Sequence, residues 1–284
     1  MTIVSPQEIE KALKYKNISD RLCEHLDESL GYFDYYQIVG IFLQGSQNYG
    51  LDTKESDIDT KLIVLPKFED IVFNKQPVST THIRENDEHI DFKDLRLYIQ
   101  TFRKQNINFL EILFTDFKII SNEYEKFWNV LIKNREAIAR YNPYQAVKAM
   151  KGHAMEKYQK MEHPYPARKD VIEKFGYDPK QLSHLVRIED YLERYIEGES
   201  YKNCLYPTNS SFIMDIKLGK YSLNEARIIA EQAKNHIELL EQIVMKKFEN
   251  NPNKQVDEIF NEVQYQIMKT AILKELHNDE KALA

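Results

Sequence analysis

Residues 43–59 read LQGSQNYGLDTKESDID, in which a Gly-Ser pair and a second glycine precede two aspartates one residue apart. Gly45 lets the backbone approach a ligand closely, and the amides and hydroxyl from Ser46 onward can open a short helix whose N-terminus carries about half a positive charge. Such an end suits phosphate. Asp57 and Asp59 supply what a phosphate cradle lacks. On an extended chain, residues two apart project from one face with Cα atoms roughly 6.6 Å apart. Two such carboxylates can converge on metals about 3.5–4 Å apart, the separation found in two-metal phosphoryl-transfer sites. Hard oxygen ligands of this kind suit Mg²⁺, which keeps part of its coordination for substrate phosphates.

The elements that must hold these residues follow from local patterns. An aromatic and β-branched run from Tyr36 to Leu43 reads as a strand entering the turn at Gly45, and Ile58 to Leu65 reads as a second strand carrying the aspartates. Residues 78–92 (VSTTHIRENDEHIDF) read as a hairpin turning at Asn86 and Asp87. On its second arm Ile90 and Phe92 alternate with His89 and Asp91, so Asp91 shares a polar face and is the expected third carboxylate. Asp87 and Glu88 read as turn residues, and Asp94 as the N-cap of the next helix.

From Asp94 onward the spacing is helical. Helices are expected over 95–104, 109–114, 123–138, 143–161, 179–196, 223–248 and 256–276, with a Pro-containing loop over 161–169. A capping box at Ser5 to Glu8 marks one further start, of a helix running toward Leu30, and a second box at Ser222 to Glu225 marks the start of the helix over 223–248. This order describes an α/β (α+β) core with a small mixed sheet over residues 1–118, followed by a mainly helical domain over residues 119–284.

The combination of Gly-Ser, a glycine four residues later, Ser-Asp-Ile-Asp and a later strand aspartate resembles the signature of the DNA polymerase β-like nucleotidyltransferase superfamily. More narrowly, the chain is similar to the YcgL-type predicted nucleotidyltransferases, a group that includes the phage RNA-ligase-associated nucleotidyltransferase. Segments NINFLEILF (106–114) and YDPKQLSHLVRI (177–188) extend the similarity over most of residues 35–195. The resemblance implies that Gly45 and Ser46 hold the β- and γ-phosphates of a nucleoside triphosphate, that Asp57 and Asp59 bind Mg²⁺ or Mn²⁺, and that Asp91 completes the metal site. The third carboxylate of the superfamily can also help deprotonate the attacking hydroxyl.

Further contacts are expected around this centre. Lys180, His184, Arg187 and Tyr191 form one stripe on a helix starting at Pro179. That stripe either binds the triphosphate tail, with the two cations and the histidine as donors, or forms a polar outer face with Leu182, Leu185, Ile188 and Leu192 packed behind it. Lys61 points with Asp57 and Asp59 and either reaches phosphate or offsets their charge. Gln44, Asn48 and Tyr49 flank the turn. Glu111 is expected as a salt-bridged helix residue, and His153 and Lys157 as solvated positions. Between Ala146 and Phe175 Lys and Arg outnumber Asp and Glu, a possible wall for triphosphate or RNA, although a solvated mixed-charge face is the expectation for most of these lysines.

Composition limits the partners. A net charge of −6 over 284 residues argues against strong nonspecific binding to nucleic acid, which needs a broad basic surface. No apolar run reaches membrane-span length, and the N-terminal residues lack the regions of a signal peptide. Two distant cysteines, Cys23 and Cys204, form neither a disulfide framework nor a zinc site, so a reducing cytoplasm is expected. The acceptor stays open between an RNA end, a protein side chain and a small molecule. A nucleotide-binding regulatory module without transfer is the alternative from another class.

Overall fold

A computed structural model describes residues 6–32, 35–53 and 56–283, so the N-cap expected at Ser5 lies outside the described residues. Helix α1 (Pro6–Tyr32) leads into strand β1 (Gln37–Gln44), a single 3₁₀ turn (Ser46–Asn48) and strand β2 (Asp59–Leu65). The short helix α2 (Phe68–Val72) precedes the hairpin of β3 (Ser79–Ile83) and β4 (His89–Asp94). Helices α3 (Leu95–Arg103) and α4 (Ile107–Leu110) connect it to β5 (Lys118–Ile120). The remainder is helical: α5 (Asn122–Lys133), α6 (Arg135–Ala139), α7 (Pro143–Lys160), α8 (Lys169–Phe175), α9 (Pro179–Glu197), α10 (Tyr201–Leu205), α11 (Ser210–Lys217), α12 (Leu223–Lys247) and α13 (Lys254–Leu283).

The sheet is mixed, in the order β3-β4-β2-β1-β5. Its register brings the chemistry together. Gln44 pairs with Asp59 at the end of the antiparallel β1–β2 ladder, which sets the phosphate turn beside the first strand aspartate. Parallel pairing of β2 with β4 places Lys61 opposite Asp91, and the β3–β4 hairpin forms as expected. Strand β5 pairs with β1 and contains residues on both sides of the 118/119 division.

Alternation of side chains divides the sheet into two buried faces. Ile41, Leu62, Val64, Ile90 and Phe92 pack on one side with Leu26 of α1. Val39, Phe42, Ile63 and Leu65 face the helices, in a cluster that continues through Trp128, Leu185 and Ile237 to Phe260 of α13. Phe42 lies 4.9 Å from Trp128 between ring centroids, and Phe102 stacks on Phe260 at 6.1 Å. The amphipathic spacing of α9, α12 and α13 therefore serves one packed body.

Several helices differ from expectation for local reasons. The helix expected over 123–138 breaks at Asn134, which ends α5 and lets α6 start anew. Residues 109–114 form the end of α4 and a 3₁₀ turn rather than one helix. Helices α8, α10 and α11 were not signalled by apolar periodicity, because each spans only about two turns or fewer; α10 and α11 are started by the caps Ser200 and Asn209. The Asp94 cap is present, with its carboxylate accepting the Arg96 amide at 2.7 Å. The capping box at Ser222 and Glu225 is present as well.

Candidate active site

A cavity of about 400 Å³ opens between the sheet end and the helices, a volume in the range of small-molecule sites. Its sheet side is formed by Gln44, Gly45, Ser46, Asp57, Asp59 and Glu111. Its helical side is formed by His153 and Lys157 of α7, Lys180, His184 and Arg187 of α9, and Lys217 of α11. Carboxylates that can take a cation thus face a wall of cations that can take an anion.

The turn is built around Gly45. Its φ of 95° and ψ of −159° fall in a region open essentially to glycine alone. The following helix is shorter than expected. Ser46–Asn48 makes one 3₁₀ turn and then Gly50 adopts φ 72°, so three residues sum almost no macrodipole. Phosphate binding there must rest on individual N–H and hydroxyl groups and on the cations opposite. Asn48 braces the turn from behind, donating to the Leu43 carbonyl at 3.0 Å and accepting from Thr115 Oγ1 at 2.7 Å.

Asp57 precedes β2 and is exposed, whereas Asp59 opens the strand and is half-buried. Asp59 Oδ1 accepts the His89 amide at 3.0 Å and lies 3.1 Å from His89 Nδ1. Lys61 and Asp91 stand apart from the cavity lining. Lys61 Nζ lies 2.7 Å from Asp91 Oδ2 and 4.0 Å above the Phe109 ring, one step along the same sheet face from Asp59. Among the described residues no group of three His, Cys, Asp or Glu side chains converges as a ready metal cage.

Arg187 is the most distinctive member of the helical wall. It is 4 % exposed, its guanidinium lies 4.1 Å from the centre of the Tyr49 ring, and its Nε and Nη1 are buried with no hydrogen-bond partner among the described residues. Buried donors of a charged group are normally satisfied, so a cavity-lining arginine with two unmade bonds is a candidate to take an anion. The polar-outer-face alternative for this helix fails at Arg187, because α9 is packed on both sides. Tyr191, the last member of the stripe, is fully buried in the aromatic core beside Tyr195 and Tyr201.

Three residues expected elsewhere line the cavity. Glu111 is 3 % exposed and accepts the Gly45 amide at 2.9 Å instead of forming a helix-surface ion pair. Burial pushes its pKa up to about 7, against the opposing pull of Arg187, the Gly45 hydrogen bond and Lys61. His153 and Lys157 are turned inward rather than solvated. Burial and the neighbouring Lys157 hold His153 down at about 4, while burial, Arg187 and Lys157 hold His184 well below its ordinary value. Both rings are therefore neutral at pH 7. Burial also lowers Lys157 and Lys217, and Lys217 Nζ donates to the Leu51 carbonyl at 2.5 Å.

Glu111 yields a pH-dependent prediction. Its folded pKa of about 7 lies above the ordinary 4.5, so the folded state holds the proton more tightly. That contribution is complete below pH 4.5 and is lost as pH rises to about 7, a swing of about 3 kcal/mol. Glu111→Gln keeps an acceptor for Gly45 and cannot ionise. Urea unfolding at pH 5 and pH 8 is expected to show the variant gaining on the parent by about that amount at the higher pH; equal differences at both would disprove the buried titration.

No family model matches the chain, and no curated protein matches it. Among solved structures, the chain is similar to a nucleotidyltransferase-like protein from Exiguobacterium sibiricum 255-15, with 12 % identity and a TM-score of 0.29 over 76 % of this chain and 72 % of that one. At that degree of likeness the site stands on its own residues.

Proposed function

We propose that this chain is a metal-dependent nucleotidyltransferase that moves a nucleoside monophosphate from a nucleoside triphosphate to an acceptor hydroxyl and releases pyrophosphate. The observation that carries this reading is a single cavity lined by Asp57 and Asp59 on one wall and, on the other, by Arg187, whose Nε and Nη1 have no hydrogen-bond partner among the described residues. A neutral substrate would leave the cation wall around Arg187 without a partner.

The donor set fits Mg²⁺ or Mn²⁺. Asp57 and Asp59 offer hard oxygens at the cavity edge and leave the remaining coordination positions to phosphate oxygens and water. Bound there, the ion would neutralise phosphoryl charge and favour the ionised acceptor hydroxyl. Asp91 is proposed to complete the site once Lys61 exchanges its carboxylate for a phosphate oxygen, since both lie on the sheet face that carries Asp59. Gly45 and Ser46 would hold the β- and γ-phosphates, with Arg187, Lys180 and neutral His184 donating from the opposite wall. With its pKa raised to about 7, Glu111 is about half protonated at neutral pH, which lessens the negative charge along the triphosphate's path. Positioning and charge neutralisation supply most of the catalysis in such chemistry.

An RNA end is one proposed acceptor. The acidic chain suits a protein side chain or a small molecule equally well. Incubation with each α-labelled nucleoside triphosphate, Mg²⁺ or Mn²⁺, and panels of RNAs, proteins and small hydroxyl compounds is expected to label one acceptor class with equimolar pyrophosphate. Tight nucleotide binding without turnover on any acceptor would replace this reading by a regulatory module.

A further inference from the structure

The loop that delivers Asp57 and Asp59 is gripped from the face of the sheet opposite the cavity. Glu88, at the end of the hairpin turn, is 7 % exposed. Its Oε1 accepts the amide of Ile58, the residue between the two aspartates, at 3.2 Å. Its Oε2 receives His25 Nε2 at 2.9 Å, Arg84 Nη1 at 3.0 Å and Arg21 Nη2. His25 is fully buried, and its Nδ1 lies 2.9 Å from the hydroxyl of Thr60. Residues 58 and 60, which flank Asp59, are therefore tied to one cluster, while Asp59 itself takes the amide of His89, the residue after Glu88.

The protonation states make this a fixed clip. Burial raises the Glu88 pKa, but hydrogen bonds from His25 and Arg21 outweigh it and leave the value at about 2. Burial lowers the His25 pKa in spite of its Glu88 partner. A carboxylate only accepts, so the His25 proton sits on Nε2 and Nδ1 accepts from the Thr60 hydroxyl. Four donors on one buried carboxylate hold it in a single orientation.

We propose that Glu88 is a positioning residue for the divalent-cation site: by fixing the Ile58 amide, with His25 fixing Thr60, it orients Asp57 and Asp59 toward the same cavity. This rests on the metal-dependent reading above. A partner that orients first ligands typically changes metal affinity 10–100-fold when removed. Nucleotide contacts on the far wall, at Arg187 and Lys180, lie outside its reach.

Mn²⁺ binding to the nucleotide-free full chain, followed by the loss of the free-ion electron paramagnetic resonance signal, tests the assignment. Nucleoside triphosphate affinity in EDTA is measured in parallel. Glu88→Ala is expected to weaken Mn²⁺ binding about 10–100-fold with nucleotide affinity in EDTA unchanged within about two-fold. Glu88→Gln, which keeps an oxygen for Ile58 but loses its charge-assisted partners, is expected to fall several-fold. Should Glu88→Ala lose its folded circular dichroism spectrum, Glu88→Gln decides alone. Parental Mn²⁺ affinity in a folded variant, or a parallel loss of both affinities, overturns the proposal. Absence of Mn²⁺ binding by the parent chain overturns the metal-dependent reading and this inference with it.

Discussion

Joint replacement of Asp57 and Asp59 by asparagine is expected to reduce nucleotide transfer at least about a thousand-fold, a loss of about 4 kcal/mol in transition-state stabilisation. The structure separates this effect from folding. Asp57 is exposed and Asp59 half-buried, and asparagine preserves the side-chain oxygen that accepts the His89 amide. Metal-free thermal unfolding should therefore move by no more than a few degrees. The two measurements together identify the carboxylates as ion holders rather than supports of β2. Full activity in the double variant would show that the metal is held elsewhere, and Asp91 with Glu111 would be the next pair to replace.

The second large effect belongs to Arg187. Two charge-assisted hydrogen bonds to phosphate are worth about 1.5–3 kcal/mol each, so Arg187→Met is expected to weaken triphosphate binding by at least about 100-fold. Its effect on stability should have the opposite sign to that of an ordinary buried residue. The native guanidinium is buried with two donors unpaired, and methionine removes that desolvation while retaining an unbranched side chain over Tyr49. Glu111 loses its main cationic neighbour and remains neutral to higher pH. Calorimetric titration with a non-hydrolysable triphosphate and thermal unfolding of the empty protein check both halves. Weaker binding together with an unchanged or higher Tm supports an anion site; a large fall in Tm with unchanged affinity would make Arg187 a structural cation instead.

How much of this was legible depends on whether a residue's surroundings are local. The strand into Gly45, the hairpin at Asn86–Asp87, the Asp94 cap and the Ser222–Glu225 box are properties of five to ten consecutive residues, and the sequence pattern contains them. Glu111 illustrates the opposite case. Its apolar neighbours show that it sits in a buried segment, but only the packing of the 3₁₀ turn Glu111–Leu113 against the end of β1 reveals that it meets the Gly45 amide. The period of α9 places Lys180, His184 and Arg187 on one face without stating what that face meets, and Tyr191 leaves the cavity because the stripe continues into the core. Lys217 was invisible because α11 lacks a strong apolar period, and its helix is secured by the Asn209 cap. Glu88 looked like one more polar turn residue; two of its partners, Arg21 and His25, lie more than sixty residues earlier, in α1.

The orphaned guanidinium also makes the protein's own unfolding equilibrium a reporter of its ligand. An anion that satisfies the buried donors binds only the folded chain, and linkage adds RT ln(1 + [L]/Kd) to the unfolding free energy, about 2.7 kcal/mol at a hundredfold excess over Kd. That increment requires neither turnover nor an acceptor. The preferred base can consequently be ranked from melting curves with the four triphosphates, before the identity of the receiving hydroxyl is known.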